Sequence, residues 1–465
     1  MVFSSVTFIL GYLPLVLILY YLAPRRARNG ILFLLSLLFY AWGEPVYVIL
    51  MLISTAADYS FALYADRWNQ KGNHKKARRA IYATVIFNLG MLGFFKYTDF
   101  LIGTMNSVLG TELPLLNLPL PIGISFYSFQ TMSYTIDVYR GEAKPQKSPL
   151  DLGAYVALFP QLIAGPIVRY TTIAHELNHR QESWDQVSEG LSRFMIGLGK
   201  KVLIANQVGQ VFAALTASGA EELSILSAWL GAVCFALQIY FDFSGYSDMA
   251  IGLGKMLGFN FLENFNYPYI AKSITDFWRR WHISLSSWFR DYVYIPLGGN
   301  RKGKRKQYRN IFIVWLLTGI WHGAGWNFVI WGLYYAAWLL LEKALLGRYL
   351  TKLPKILQHA YALLIVLIGW VIFSIEDLAM MKLWLQTMFG LSGAPLLSKG
   401  ALFYLKNYGI CIIMGMVASI PWHKKWHWKE TKLAVLENVI WIGLFIICMA
   451  FLVSDTYNPF LYFRF

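Results

Sequence analysis

Long apolar runs recur along this chain and are separated by short polar turns. A helix that crosses the hydrocarbon core of a bilayer needs about 20 residues of this kind. We therefore predict an all-α polytopic membrane protein with about ten to twelve transmembrane helices. The runs cover 6–23, 30–42 with 46–65, 80–100, 122–138, 224–243, 311–342 (two helices), 356–374, 401–421 and 434–453, with a weaker run at 194–215. The first run lacks a preceding basic region, so we expect a retained helix and not a cleaved signal peptide.

Two apolar stretches are interrupted by prolines and do not fit a simple crossing. They cover 113–123, with three prolines, and 159–166, with a proline near each end. Irregular backbone is tolerated at membrane depth only where protein or a water-filled cavity satisfies its hydrogen bonds. We expect re-entrant elements around a central channel. Segment 170–193 is amphipathic and is expected to lie at the cytoplasmic interface.

Composition supports the membrane assignment. Apolar residues make up 57% of the 465 residues and charged residues only 14%, whereas soluble domains are about a quarter charged. The mean hydropathy is +0.47. A soluble protein needs a polar surface that this chain does not supply. The sequence shows no pair of repeated halves, which would have been typical of a transporter.

The chain is basic, with 41 Lys and Arg against 25 Asp and Glu and a net charge of +16. These cations lie in short loops between apolar runs, as in cytoplasmic loops of membrane proteins. Clusters at 25–28, 67–79, 272–309 and 424–429 are predicted to face the cytoplasm, with the N-terminus and the last residues outside. We expect a multi-pass protein of the cell (inner or plasma) membrane that contacts anionic lipids and no nucleic acid.

Few residues suggest a metal or a bound cofactor. Cys234, Cys411 and Cys448 lie inside apolar runs without metal or redox spacing, so we interpret them as core residues. No phosphate-binding or dinucleotide-binding glycine motif occurs in the sequence. We expect no metal site and no bound cofactor. Six histidines are expected at the surface: His74, His175, His179, His359, His423 and His427.

Residues 240–248 place two aspartates and two serines directly after an apolar run. Burying a carboxylate without a partner is costly, so these side chains must face one another or a cavity. Two interpretations remain open. One is a hydrogen-bonded brace between helices, and the other is the wall of a cavity.

Residues 276–291 interleave aromatic and basic side chains. In a membrane protein this pattern favours an interfacial helix with tryptophan anchors and arginines that extend to the polar surface. Arginine binds phosphate through two parallel hydrogen bonds. Arg279, Arg280 and Arg290 are therefore candidates to bind the phosphates of a nucleotide-bearing donor. His282 lies within this stretch and has either a structural or a substrate-orienting role.

His322 lies in an apolar region among small residues, in the sequence Thr318-Gly319-Ile320-Trp321-His322-Gly323. Small residues let helices approach closely. An ionisable residue at membrane depth is a candidate functional group, and a neutral imidazole can act as a base near pH 7. The alternative is a buried histidine with satisfied hydrogen bonds and no catalytic role.

Eight segments of the sequence match a known pattern in order and over nearly the whole chain: 1–5, 123–126, 134–141, 159–169, 240–248, 276–300, 321–323 and 457–460. With these segments the chain resembles the membrane-bound O-acyltransferase (MBOAT) superfamily, specifically its alginate O-acetyltransferase branch.

The resemblance implies one transmembrane domain over 1–465, with its catalytic core at about 235–345. It implies that His322 is the catalytic base in a channel across the membrane and that His282 is a second site histidine. The acyl donor would be acetyl-CoA from the cytoplasm. The product would be an O-acetylated exported polysaccharide, alginate or a similar polymer, completed by an exported acetyltransferase partner protein.

Other functions remain open from the sequence. One is acyl transfer from a different donor, such as a D-alanyl carrier protein, to a cell-wall polymer. Another is a non-catalytic polymer transporter or scaffold. Direct attack by an acceptor hydroxyl and an acyl-histidine intermediate are both compatible with the sequence.

Overall fold

The computed structural model describes residues 1–162, 165–219, 222–421, 433–454 and 460–461, and every regular element within these ranges is helical. The chain forms two compact units, one from residues 1–194 with 246–262 and the other from 195–245 with 263 onward. Two of the three boundaries between the units, at 194/195 and 245/246, fall inside helices, and the third, at 262/263, falls in a loop. The single domain over 1–465 stays a prediction.

The first unit contains the helices that begin before residue 195, the last of which extends into the second unit. Helix α4 begins after Asn73, whose side chain accepts a hydrogen bond from the Lys76 amide at 3.1 Å, and ends at Gly110 in the left-handed conformation (φ 66°). These are the usual N-terminal and C-terminal helix caps. The helices are α1 (Leu13–Leu22), α2 (Arg28–Ala41), α3 (Val48–Gln70), α4 (His74–Leu109), α5 (Ile124–Arg140), α6 (Pro149–Ala157), α7 (Phe159–Leu162), α8 (Tyr170–His179) and α9 (Trp184–Gly199).

Helices α3, α4 and α5 are joined by a buried polar cluster around Asp58. Its carboxylate accepts hydrogen bonds from Thr84, from the Asn88 amide at 2.7 Å and from Thr135 at 2.9 Å. Polar side chains between apolar helices stabilise their association because each finds its partner only across the interface. Asp58 therefore links the three helices.

The second unit carries the tryptophan-rich core. Its helices are α10 (Asn206–Ala217), α11 (Ile225–Met256, which continues into the first unit), α12 (Ile274–Arg280), α13 (Ile283–Phe289), α14 (Lys304–His322), α15 (Trp326–Leu341), α16 (Gly347–Leu350), α17 (Lys355–Ser374), α18 (Leu378–Met388), α19 (Lys399–Ala418) and α20 (Leu433–Ser454). Short 3-10 turns cover Arg25–Ala27 and Pro268–Ile270, and π-helical turns cover Thr7–Tyr12, Lys200–Ala205, Arg290–Tyr294 and Glu342–Leu346.

Six helical segments of the described chain are long and apolar enough to cross a membrane, which confirms an all-α multi-pass protein. They are Val48–Gln70, His74–Leu109, Ile225–Met256, Trp326–Leu350, Lys355–Ser374 and Lys399–Ala418. Two shorter apolar segments cover Thr7–Leu22 and Val439–Ser454. The predicted pair of helices at 311–342 is confirmed as α14 and α15. The higher predicted number of crossings and the central channel stay predictions.

Other predicted segments differ in detail. The run at 194–215 is divided between α9, a π-helical turn and α10. Residues 111–121 form no helix and are mostly exposed. The amphipathic segment 170–193 is helical as α8 and the start of α9. The basic residues at 424–429, His423, His427 and the last four residues lie outside the described residues.

Candidate active site

His322 is the last residue of α14 and is 5% exposed. Its ring packs edge-on against Trp331 and Phe373, with centroids 5.0 Å and 5.3 Å away. The next residue, Gly323, has no room for a side chain, because an added Cβ would lie 2.1 Å from the Phe328 ring. The end of α14 is thus held among aromatic rings of the second unit.

His282 precedes the first turn of α13, has a left-handed backbone (φ 45°) and is 2% exposed. The left-handed conformation is uncommon for a residue other than glycine. Asn264 fixes this segment from the preceding loop: its Oδ1 lies 3.2 Å from His282 Nδ1, and its carbonyl accepts a hydrogen bond from the Ile283 amide at 2.9 Å. The Phe243 ring lies edge-on to His282 with a centroid distance of 4.6 Å.

The structure brings His322 and His282 to the same cavity, whose volume is about 220 Å³. The Trp321 ring packs against both, with centroids 5.0 Å from His322 and 6.4 Å from His282. Apolar and aromatic side chains supply most of the remaining wall. They include Trp278 on α12, Leu285 on α13 and Val314 on α14. Such a mostly apolar cavity with a few polar groups is typical of a small-molecule site.

A second cavity of about 650 Å³ adjoins the histidine cavity. The two cavities share four lining residues, Thr275, Arg279, Trp315 and Leu339. The larger one is also lined by Lys272 and Lys343. Two carboxylates line it as well: Asp276, which pairs with Arg280, and Glu342, which accepts hydrogen bonds from backbone amides of α12. A molecule with a polar, anionic part and a small reactive end could place one in each cavity.

The three predicted phosphate-binding arginines differ in position. Arg279 is exposed and lines both cavities, and its side chain forms no hydrogen bond or ion pair with any residue that the structure describes. Arg280 pairs with Asp276 at 3.0 Å, and Arg290 pairs with its neighbour Asp291 at 2.6 Å. Neither Arg280 nor Arg290 lines these two cavities. Only Arg279 of the three is placed beside the histidines.

Two further residues position the site and were missed by the sequence analysis. Glu342 is 6% exposed and accepts hydrogen bonds from the backbone amides of Ile274 at 2.6 Å and Thr275 at 2.9 Å, which begin α12. A carboxylate at the end of the apolar run 311–342 could have been recognised from the sequence as a group that needs a partner. Asn264 is completely buried, but its sequence context gave no such signal.

The polar segment 240–248 fits the brace interpretation. In the second unit Asp242 forms an ion pair with Lys201 and also accepts a hydrogen bond from the Leu461 amide at 2.7 Å. In the first unit Asp248 pairs with Arg193 at 2.6 Å. Neither aspartate lines the two cavities.

Most remaining histidines and the cysteines lie where expected. His74, His175 and His179 are exposed, whereas His359 is half-buried with Nδ1 3.0 Å from the Ala271 carbonyl and is therefore not a plain surface residue. Cys234 and Cys448 are buried and Cys411 is half-buried. Within the described residues no group of three or more His, Cys, Asp or Glu could hold a metal ion.

Comparison with known proteins identifies the family. Residues 50–384, which include both histidines and the lining of both cavities, match the membrane-bound O-acyltransferase family, MBOAT. The chain belongs to this family. It is therefore a multi-pass membrane O-acyltransferase, as the sequence resemblance implied.

Several named proteins are similar to this chain. A probable alginate O-acetylase, AlgI, of Azotobacter vinelandii is 46% identical over 382 residues, which cover 81% of this chain and 76% of the relative. A peptidoglycan O-acetyltransferase of Helicobacter pylori is 32% identical over 100% of this chain and 98% of its own length. A teichoic acid D-alanyltransferase of Bacillus subtilis is 32% identical over 46% of this chain and 57% of its own length. Most of this similarity is to O-acetylating proteins.

Proposed function

We propose that this MBOAT protein takes acetyl groups from cytoplasmic acetyl-CoA and passes them through a transmembrane channel for O-acetylation of an exported polysaccharide, alginate or a similar polymer. The observation that carries the proposal is the shared cavity of His322 and His282, which adjoins a larger cavity with basic lining residues. Similarity to acetylating relatives supports the acetyl group and a polysaccharide acceptor.

His322 acts as the base. Its imidazole accepts the proton of an acceptor hydroxyl, and the hydroxyl oxygen attacks the thioester carbonyl. The carbon–sulfur bond then breaks, the acetyl ester forms, and coenzyme A leaves as a thiolate that receives the proton from the imidazolium. General base catalysis of this kind contributes a factor of about 10² to 10⁴. His282 lines the same cavity and orients the reacting groups.

The larger cavity receives the nucleotide part of the donor. Arg279, Lys272 and Lys343 line it and supply cationic groups for the phosphates. Arg279 is the strongest of the three candidate arginines, because Arg280 and Arg290 are already paired with carboxylates. Arg279→Ala is thus expected to raise the KM for acetyl-CoA more than Arg280→Ala or Arg290→Ala.

The protein lies in the inner or plasma membrane with its N-terminus outside, so that the basic segment 272–309 and the donor cavity face the cytoplasm. The positive-inside distribution of Lys and Arg supports this orientation. An exported acetyltransferase partner receives the acetyl group on the outer side and completes its transfer to the polymer.

The proposal is tested by acetyl transfer from labelled acetyl-CoA in membranes that contain the wild type or His322→Ala, at matched amounts of folded protein. With the exported partner and the polymer present in the same preparation, we expect polymer label with the wild type and at least a hundred-fold less with the variant. His179→Ala is the matched control, because His179 is exposed and distant in sequence from the site. Equal label from His322→Ala would refute its role as the base.

The similarity to a teichoic acid D-alanyltransferase favours a second donor, an acyl group on a carrier protein. The same membranes are supplied with D-alanyl carrier protein in place of acetyl-CoA. Transfer from the carrier protein but not from acetyl-CoA would establish the second function and refute the first.

A further inference from the structure

The proton positions around His282 follow from the hydrogen bonds of Asn264. The backbone amide of Ser284 can only donate, and it reaches Asn264 Oδ1 at 3.1 Å, while the Ser284 hydroxyl donates to the same atom at 2.9 Å. The Asn264 atom that faces these donors is therefore the carbonyl oxygen and not the amide nitrogen. This fixes the orientation of the Asn264 side chain.

The same oxygen lies 3.2 Å from His282 Nδ1. A carbonyl oxygen only accepts, so Nδ1 must carry the proton in this contact. In a neutral imidazole the other nitrogen, Nε2, then carries a lone pair and no proton. His282 is thus held as the Nδ1–H tautomer, with Nε2 as the remaining nitrogen of a ring that lines the cavity.

We propose that Asn264 is a positioning residue that fixes this tautomer, so that His282 accepts a hydrogen bond from the acceptor hydroxyl through Nε2 and does not stabilise the oxyanion. An oxyanion needs a donor, which a neutral His282 of this tautomer does not offer at Nε2. The role in transfer rests on the proposed function; the tautomer itself does not.

The titratable groups around His282 decide whether a change in its protonation can be assigned to Asn264. The titratable groups that share its cavity are Arg279 from α12 and His322 from α14. On α11, Phe243 contacts the His282 ring, and its neighbour Asp242 is paired with Lys201. On α12, Asp276 is paired with Arg280.

A carboxylate introduced at Asn264 tests the proposal. Asn264→Asp keeps the acceptor oxygen and adds a negative charge beside Nδ1–H, which favours the imidazolium. In the wild type the acid limb of the kcat/KM profile is expected to follow protonation of the base His322, because burial lowers the pKa of His282 to about 3. Asn264→Asp raises the pKa of His282, and protonation removes its Nε2 lone pair, so a second loss of kcat/KM that depends on His282 is expected on the acid limb. In a His282→Gln background the same substitution is expected to leave the limb where it is. Ser284→Ala removes a neutral hydroxyl that lies 2.9 Å from Asn264 Oδ1 and 3.4 Å from His282 Nδ1; because it adds no charge and leaves the Ser284 amide in place, it should not move the limb.

The tautomer is measured independently of turnover by the ¹⁵N spectrum of histidine-labelled protein, with His282 assigned by its loss in His282→Gln. A bare Nε2 and a protonated Nδ1 are expected. A protonated Nε2 beside a bare Nδ1 would overturn the proposal, as would a pH shift that persists without His282. If the wild type transfers no acetyl group, the proposed function fails, but the ¹⁵N spectrum still decides the tautomer. The spectrum is recorded on the wild type and therefore does not depend on whether Asn264→Asp folds.

Discussion

Lys201 and Asp242 form an ion pair inside the second unit, with only 5% and 2% of their side chains exposed. The other carboxylate oxygen of Asp242 accepts a hydrogen bond from the Leu461 amide. Next to Asp242, the Phe243 ring contacts both His282, at 4.6 Å, and Phe460, at 5.5 Å. The ion pair thus holds residues 460–461 against α11, the helix whose Phe243 contacts His282.

Removing one partner of this pair is expected to be more damaging than removing both. Asp242→Asn removes the carboxylate that pairs with the buried Lys201 ammonium, and breaking a buried ion pair from one side typically costs about 3–5 kcal/mol of stability. The Lys201→Met, Asp242→Leu double variant removes both charges of the pair and is expected to unfold at a higher temperature than either single variant. Thermal unfolding in detergent measures all three. A double variant as unstable as the sum of the singles would contradict this account.

The contact between α14 and α15 leaves no space for side chains at two glycines. An added Cβ at Gly319 would lie 2.5 Å from the Phe328 carbonyl oxygen, and one at Gly332 would lie 2.6 Å from the Trp315 carbonyl oxygen. Gly319→Ala is expected to separate the helices at a cost of about 1–3 kcal/mol. It should also lower kcat, because His322 follows one turn later.

A matched control for Gly319→Ala is Gly409→Ala on α19, where an added Cβ meets nothing within 4 Å. This variant is expected to be neutral or more stable by up to about 1 kcal/mol. Melting temperature and acetyl transfer are measured for both variants. Equal behaviour of the two would show that the close approach of α14 and α15 does not matter.

The sequence predicted the helical class and singled out His322 and His282, which line one cavity, but it did not predict what surrounds them. Apolar runs mark helices because a crossing segment needs a minimum length of apolar residues. They do not mark a π-helical turn such as Lys200–Ala205, since a change in backbone hydrogen bonding leaves the apolar pattern intact. Helix boundaries near such turns were therefore missed.

Pairings between distant residues were equally beyond the sequence. The carboxylate of Asp242 was recognised as needing a partner, but nothing in the local sequence points to Lys201. Arg279, Arg280 and Arg290 looked equivalent, and only the structure shows that two of them are held by carboxylates. Charge patterns along a chain show which groups need partners, whereas the tertiary fold decides which partners they meet.

The start of α12 is expected to depend on Glu342. Glu342→Ala would leave two amides, of Ile274 and Thr275, without their acceptor at a site that is mostly buried, at a cost of about 1–3 kcal/mol each. Because α12 carries Arg279, the KM for acetyl-CoA is expected to rise more than kcat falls. Steady-state kinetics separate the two constants. Glu342→Gln, which retains one oxygen, is expected to have a smaller effect, and equal damage from both variants would argue against a capping role.

Glu182 lies in the segment that links α8 and α9, and its contribution to the stability of the folded protein is expected to fall in acid. Burial would raise the pKa of this carboxyl, but hydrogen bonds from Tyr20 and Arg28 and the positive charges of Arg28 and Arg180 outweigh burial and lower it. A group whose pKa is lower in the folded state contributes stability above its unfolded pKa, about 4.3 for Glu. That contribution is lost as the pH falls through the folded pKa.

The comparison of wild type with Glu182→Gln isolates this contribution. The wild type is expected to melt at a higher temperature by a constant margin between about pH 6 and pH 8, where Glu182 is ionised in both states. The margin should shrink below about pH 4.3 as the carboxylate is protonated. Glu189→Gln is the matched control, because Glu189 is 63% exposed in its pair with Lys255 and exposed pairs contribute little. A margin for Glu182→Gln that does not change with pH would mean that the charge of Glu182 does not stabilise the link, and that only its shape and hydrogen bonding do.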